Sequence, residues 1–280
     1  MTIKCIGNAE PKIPIAKFSG GSYYFIMVIA LIVAAGQGKR FGGNVPKQFF
    51  ELGGVPIWLR SLQPFADSDS VKAIVLAVPR AQVLAIRKEA EKLGLKKPIK
   101  VVIGGQKRQD SVRIGLDAVI KLVQALGKSR GPAGKSVDPI ILIHDGARPL
   151  ATGELIRRVI KSAERYGAVV PGLTPRNTIK LVDPRNSLVE KTPARDKLRE
   201  IQTPQGFRLS ILVKGYKILK QGGLMVTDDA SLVELAGAPV RVIPGEPENI
   251  KITTQFDLWM AEAIAREKQK SRMSTLTDSG

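Results

Sequence analysis

A chain of 280 residues with 44% apolar side chains can bury one large core or two modest ones, which excludes a disordered protein. Lys and Arg outnumber Asp and Glu by 44 to 25, a formal charge of +19, but the cations are scattered and only 5% of residues are aromatic. Zinc-finger spacing and basic strands interleaved with aromatic rings are absent, so no specific nucleic-acid partner is expected. One cysteine, Cys5, and one histidine, His144, exclude a disulfide framework and a zinc site built on paired thiolates or imidazoles.

Residues 1–26 lack a secretory-signal pattern and read as an accessory extension of a domain spanning 27–268. The longest apolar run, 23–35, is too short to cross a bilayer and ends in glycines. It reads as a buried strand, and the protein as cytoplasmic with no membrane partner. Val28–Val33, Val71–Val78, Ile99–Ile103, 140–143 and 168–170 are compact runs rich in Val and Ile. Between them, 81–93, 109–126 and 151–165 carry helical spacing. In the last, Leu155, Ile156, Val159 and Ile160 share one face, while Glu154, Arg157, Arg158 and Lys161 take the other. This alternation predicts an α/β fold: a mostly parallel sheet flanked by helices, with ligands at the carboxyl ends of its strands.

The rhythm breaks at Pro171. Over 172–205, short extended pieces at 178–182 and 187–191 flank a turn at Asp183-Pro184-Arg185-Asn186. They predict a projecting β-arm too thin for a core of its own, and therefore packed on a second subunit. Helical spacing returns at 207–221, 229–236 and 255–268. Segment 127–137 reads as a loop, and 269–280 as a flexible tail.

Four segments carry candidate chemistry. The first, Ala34-Ala35-Gly36-Gln37-Gly38-Lys39-Arg40 with Lys47 further on, follows a strand with a glycine turn and three cations but no acid. Glycines admit phosphate oxygens to backbone N–H groups and the cations offset their charge. The spacing matches neither GxxxxGK[ST] nor GxGxxG, so it is neither of those phosphate loops. In the second, Gly104-Gly105 leads into Asp110-Ser111, where Ser111 either contacts a base or sugar or shares with Asp110 the capping of a helix. The third, His144-Asp145-Gly146-Ala147-Arg148, puts a carboxylate just past a strand, where it can hold Mg²⁺ beside phosphates or cap the next helix. His144 should point away from Asp145 and reads as a structural histidine. In the fourth group, Thr227 stands in an N-cap pattern. Lys251 lies between Ile250 and Ile252 in an extended piece, which suits a cleft lysine or a solvated edge.

In chain order, AAGQGKRFGGNVPKQF at 34–49, GGQKRQDSV at 104–112, HDGARP at 144–149, TIK at 178–180, QTPQGF at 202–207, VTDDAS at 226–231 and NIKIT at 249–253 resemble a known family. It is that of the 2-C-methyl-D-erythritol 4-phosphate cytidylyltransferases of the non-mevalonate isoprenoid pathway, and the likeness covers roughly 27–268. It implies a Rossmann-like nucleotidyltransferase fold and attack of a methylerythritol phosphate oxygen on the α-phosphorus of CTP, releasing pyrophosphate. Carried over by motif, Arg40, Lys47 and Lys251 are implied as catalytic. Ala34, Ala35, Gly36, Gly38, Gly105, Asp110 and Ser111 are implied on the nucleotide, and Asp145, Gly146, Arg148, Thr178, Arg195 and Thr227 on the acceptor. Asp145 is the implied Mg²⁺ ligand. The arm's Thr178 and Arg195 are implied to reach the neighbouring site of a homodimer.

Two positions depart from the family pattern. Gly146 replaces an alanine, which gives the loop added freedom, and Asn177 replaces an aspartate before Thr178, which removes a charge from the arm. A ribitol 5-phosphate cytidylyltransferase would share the fold, CTP loop and Mg²⁺ site. Ala34-Ala35-Gly36 and Gly146-Ala147 favour methylerythritol phosphate over that alternative. From another class, a basic nucleic-acid-binding module would account for the +19.

Overall fold

The computed structural model describes residues 26–36, 49–94, 97–126, 138–222 and 226–277. Its first strand, β1 (Val28–Val33), is followed by a hairpin, β2 (Glu51–Leu52) and β3 (Val55–Pro56), and by helix α1 (Ile57–Asp67). Then come β4 (Val71–Val78), α2 (Val83–Lys92), β5 (Ile99–Ile103), α3 (Arg108–Ala125), β6 (Ile140–Asp145), α4 (Gly153–Tyr166) and β7 (Ala168–Leu173). β1 pairs in parallel with β4 and β6, and β4 with β5. Continuous apolar runs form these strands because both faces of the sheet are covered. Val28, Ala30 and Ile32 of β1 face α1 and α4 across a core with Trp58, Phe65 and Val159, while Ile29 and Leu31 face Val112, Leu116 and Val119 of α3. α4 starts where the Thr152 hydroxyl accepts from Leu155 N (3.0 Å) and stops at Gly167, whose φ of +82° suits a residue without Cβ.

Beyond β6 the sheet differs from expectation. β10 (Glu200–Ile201) and β11 (Gln205–Arg208) run antiparallel to the rest; β11 wedges between β6 and β7, and β12 (Arg241–Pro244) adds to β7 in parallel. β7 does not end at Pro171. The Pro171 carbonyl accepts from Gln202 N (2.8 Å), and a proline's fixed φ is compatible with an extended strand. The arm is therefore shorter than 172–205, because both ends of that range belong to the main sheet. Its hairpin, β8 (Leu181–Val182) with β9 (Val189–Lys191), turns where Asp183 Oδ1 accepts from Arg185 N (2.9 Å) and Ser187 takes a φ of +59°. Leu181, Leu188 and Val189 on this hairpin are exposed.

The remaining helices are α5 (Leu209–Gly222), α6 (Asp229–Leu235) and α7 (Gln255–Thr277). Residues 207–208 are strand rather than helix, because Phe207 is paired within the sheet. α7 continues past 268 into the segment expected as a tail. α5 and α6 complete the core on the α3 side through Leu212, Tyr216, Leu232 and Val233, and α7 packs Leu258 and Ala261 on Leu52 and Ile57. Among the described residues, no helix is long and apolar enough to cross a membrane. The accessory extension, except for Ile26, and the 127–137 loop lie outside the described residues.

Candidate active site

The carboxyl ends of the neighbouring strands β6, β1, β4 and β5 lie along one edge of the sheet, each tied to the next. Ala34 N donates to Ala77 O, Gly146 N to Val33 O and Gly104 N to Val78 O, each at 2.8 Å. The glycines are needed at this junction. A Cβ on Gly104 would stand 2.2 Å from Ala35 Cβ, and one on Gly146 would stand 2.7 Å from Ala34 Cβ. Gly146 therefore gives its loop no added freedom, since it is pressed against Ala34 and hydrogen-bonded to β1. Gly36 opens onto free space at the end of this floor. Gly38, Arg40 and Lys47 lie outside the described residues.

The turn between β5 and α3 uses its polar residues on itself. Ser111 Oγ accepts from Gly105 N at 3.0 Å and lies 3.2 Å from Lys107 O, buried beneath the turn, while Asp110 accepts from Lys107 N (3.3 Å). Of the two readings open for these residues, the geometry favours local bracing. Thr227 is exposed and does not cap α6. Asp228, the residue directly before the helix, does, accepting from Ser231 N (3.0 Å).

Asp145, the last residue of β6, is the centre of charge. Its Oδ1 accepts from Arg108 Nε at 2.9 Å, its Oδ2 lies 2.8 Å from Lys251 Nζ, and Arg148 Nε stands 3.7 Å away. Burial alone would raise the pKa of this carboxyl. Arg108, Lys251 and Arg148 together outweigh that effect and hold it well below the usual carboxylate range. Arg108 continues the chain: its Nη2 is 2.8 Å from buried Asp229 Oδ2, and Tyr216 donates its hydroxyl to Asp229 Oδ1 at 2.6 Å. The helix following β6 is capped by Thr152, so Asp145 is not a cap.

Lys251 reaches Asp145 from a tightly braced loop. Ile252 N donates to Ala147 O (2.9 Å), and buried Asn249 donates to Thr203 O (2.8 Å). Ile250 and Ile252 pack into the α7 core, so alternation turns Lys251 toward the site. Arg148 belongs to the same brace. It is buried, with Nη1 on Asn249 O at 2.7 Å and Nη2 on Ile201 O at 3.5 Å, which points its fork at backbone rather than into the cleft. Thr178 and Arg195 meet on the exposed arm at 3.4 Å, with no ion pair to the Asp145 cluster among the described residues.

His144 is wholly buried, on the opposite face of β6 from Asp145. Arg148 O can only accept, so Nε2 (3.1 Å away) carries the proton and Nδ1 accepts from the Thr203 hydroxyl (3.0 Å), whose oxygen in turn accepts from Asp145 N (3.0 Å). With both ring nitrogens occupied, the residue is structural. Desolvation lowers its pKa from 6.5 to about 4. Between those values the unfolded chain binds more protons than the folded one. Stability should therefore fall as pH drops through that window, by up to about 1.4 kcal/mol per pH unit. His144→Gln is expected to flatten this part of a plot of urea midpoint against pH, and an unaltered slope would remove His144 as its source.

Sequence reasoning missed Arg108, Asp229 and Tyr216 as a unit, together with Thr203 and Asn249. Arg108 looks like one cation among several in a turn, and only the fold brings it to carboxylates at 145 and 229. Among the described residues, no group of three or more His, Cys, Asp or Glu side chains could hold a metal.

A sheet with glycine turns at its carboxyl edge, around an ionised carboxylate held by an arginine and a lysine, is that of a Rossmann-like nucleotidyltransferase. The family model for 2-C-methyl-D-erythritol 4-phosphate cytidylyltransferase matches residues 28–267. The enzymes of that name from Geobacillus thermodenitrificans and Clostridium botulinum are 40% and 38% identical to this chain. The matches cover 84% and 85% of the chain and 95% and 99% of those proteins. The solved structure of a 4-diphosphocytidyl-2C-methyl-D-erythritol synthase from Anaerococcus prevotii superposes with a TM-score of 0.70 at 30% identity, over 86% of this chain and 99% of its own. The cytidylyltransferase from Thermus thermophilus gives 0.61, also at 30% identity, over 86% of this chain and 98% of its own. The chain belongs to the 2-C-methyl-D-erythritol 4-phosphate cytidylyltransferase family.

Proposed function

We propose that this protein transfers the cytidylyl group of CTP to 2-C-methyl-D-erythritol 4-phosphate, releasing pyrophosphate. The observation that carries the reading is the Asp145 cluster, at the strand edge where the glycine turns converge in a member of this family. A phosphate nucleophile is already ionised, so the reaction needs no strong base; it needs in-line positioning and relief from repulsion between anions. Lys251 is suited to that second task, and Arg40 and Lys47, which follow Gly36 in the sequence, are assigned to the triphosphate with it. The backbone of Ala34, Ala35, Gly36, Gly38 and Gly105 is assigned to the nucleotide, with Ser111 and Asp110 shaping the turn beneath it.

The donor set fits Mg²⁺. That ion takes one or two carboxylates and completes its shell with substrate phosphates and water, and Asp145 offers one carboxylate that its cationic neighbours hold below the usual carboxylate range. When bound, Mg²⁺ supplies charge neutralisation on the phosphates. Asp145 would hold it, and Lys251 would turn from Asp145 toward the incoming anion.

Gly146, Thr227, Thr178 and Arg195 are assigned to the acceptor, with Arg148 bracing that side of the site. The exposed apolar arm supports a homodimer in which Thr178 and Arg195 serve the neighbouring site. Arg195→Ala is expected to weaken methylerythritol phosphate binding at least tenfold while leaving CTP binding within about twofold, since one charge-assisted contact contributes about 1.5–3 kcal/mol. Equilibrium titration of both ligands checks this, and the reverse order of effects would remove Arg195 from the acceptor site.

The test of the reading as a whole is pyrophosphate release from CTP and Mg²⁺, with methylerythritol phosphate and ribitol 5-phosphate compared side by side. Turnover with the first alone is expected. Faster turnover with ribitol 5-phosphate would change the acceptor, and turnover with neither would overturn the reading.

A further inference from the structure

The two closest cations on Asp145 are held very differently, with Arg148 Nε farther off at 3.7 Å. Arg108 grips Oδ1 through Nε and is anchored from behind: its Nη2 meets Asp229 at 2.8 Å, and Asp229 is itself fixed by the Tyr216 hydroxyl at 2.6 Å. The Arg108 side chain is 26% exposed and that of Asp229 only 1%. Lys251 reaches Oδ2 on a flexible stem, its side chain is 39% exposed, and Asp145 is its ion-pair partner. A planar guanidinium anchored on two carboxylates cannot leave one without stranding the other. A lysine ammonium can swing at the cost of one exposed contact.

We infer that Arg108, backed by Asp229 and Tyr216, is a positioning residue for the reaction. It fixes the Asp145 carboxylate by one oxygen and leaves the other to an exchangeable cation, which is Lys251 in the free enzyme and would be Mg²⁺ during turnover. Only one geometry then lets Asp145 serve the reaction, with Oδ2 facing the cleft. The anchor spans three elements, α3, α6 and α5, so it ties the orientation of a cleft carboxylate to helices that share the core on that side of the sheet. Asp229 does not cap α6, because Asp228 does. A tyrosine hydroxyl and a carboxylate buried together in an apolar layer need a polar reason to be there, and the Arg108 guanidinium is the group they serve.

The inference rests on the proposed cytidylyl transfer, and the experiment separates the two. Wild type and the variants Tyr216→Phe, Asp229→Asn and Arg108→Lys are compared for kcat, KM for CTP, CTP affinity by equilibrium titration, and thermal midpoint. Tyr216→Phe keeps the ring and removes only the hydroxyl, so it is expected to fold and to lower kcat about 3–10-fold. Its CTP affinity should stay within about twofold of wild type, as befits a group acting only in the transition state. Arg108→Lys can meet only one carboxylate and is expected to lower kcat at least 30-fold, with its pH–rate profile displaced from that of wild type. If wild type turns over and Tyr216→Phe and Arg108→Lys change the thermal midpoint alone, the three residues are merely structural and the inference falls. A loss confined to CTP affinity would make Arg108 a ground-state binder and would equally overturn it. Absence of turnover in wild type would instead sink the proposed function.

Discussion

Asp145→Asn is expected to lower the rate of cytidylyl transfer by roughly 10²–10³-fold, the scale of losing one preorganised electrostatic element of an active site. It should also lower folding stability by about 3–5 kcal/mol, because removing one member of a buried charge cluster leaves the rest uncompensated. Three cations converge on this carboxylate: Arg108 at 2.9 Å, Lys251 at 2.8 Å and Arg148 at 3.7 Å. An amide can accept from one of them, but its NH₂ must then face another. The pH dependence follows the same logic. A carboxyl held below its ordinary pKa contributes stability that is fully present above that ordinary value, near 3.8, and is lost as pH falls beneath it. The variant should lack that acid-side loss while keeping the separate decline due to His144 between about pH 6.5 and 4. Urea unfolding at several pH values, with pre-steady-state turnover measured at a temperature where the variant stays folded, checks both halves. A folded Asp145→Asn protein with kcat within about threefold of wild type would remove Asp145 from the reaction.

The parts of this fold that were legible are those where burial is continuous. β1, β4 and β6 are covered on both faces, so unbroken Val/Ile runs can mean little else. α4 announces itself through both its stripe and its caps. α1 went unread, although Trp58, Leu62 and Phe65 stand at helical spacing, because Pro64 breaks the local signal; their burial against the sheet overrides it. β10, β11 and β12 are short or polar and exist only through pairing with β7 and β6, which no window of sequence contains. The site divides the same way. Asp145 and Lys251 were visible because strand position and alternation govern where they point. Arg148 is visible as a cation beside Asp145, but nothing local says that Asn249 O and Ile201 O will engage its fork. The Arg108–Asp229–Tyr216 anchor is set entirely by tertiary structure: its members sit at two helix starts and in a helix middle, each with an ordinary local explanation. The +19 charge is no index of the chemistry either, because it is a sum over a surface, whereas the site depends on a few charges at close range.

Lys251→Ala should separate rate from stability. It is expected to lower kcat roughly 10²-fold, with kcat/KM falling in proportion, because the cation is needed most when charge shifts during attack at the α-phosphorus. The fold should hardly notice. Lys251 is the more exposed of the two close partners of Asp145, its loss opens Oδ2 to water rather than to an apolar wall, and Arg108 still offsets the carboxylate. The loop that presents it is held by backbone and by Asn249 and Arg148, not by the lysine, so the variant loop should keep its place. Lys251→Ala and Asp145→Asn break the same 2.8 Å contact from opposite ends. If the contact mattered chiefly for folding, both would cost comparable stability. If it is a resting contact that Lys251 leaves to meet a phosphate, only Asp145→Asn should cost stability, while both cost rate. A Lys251→Ala enzyme with unchanged kcat and a raised KM for CTP would assign the lysine to ground-state binding alone, and one that unfolds like Asp145→Asn would make the ion pair structural.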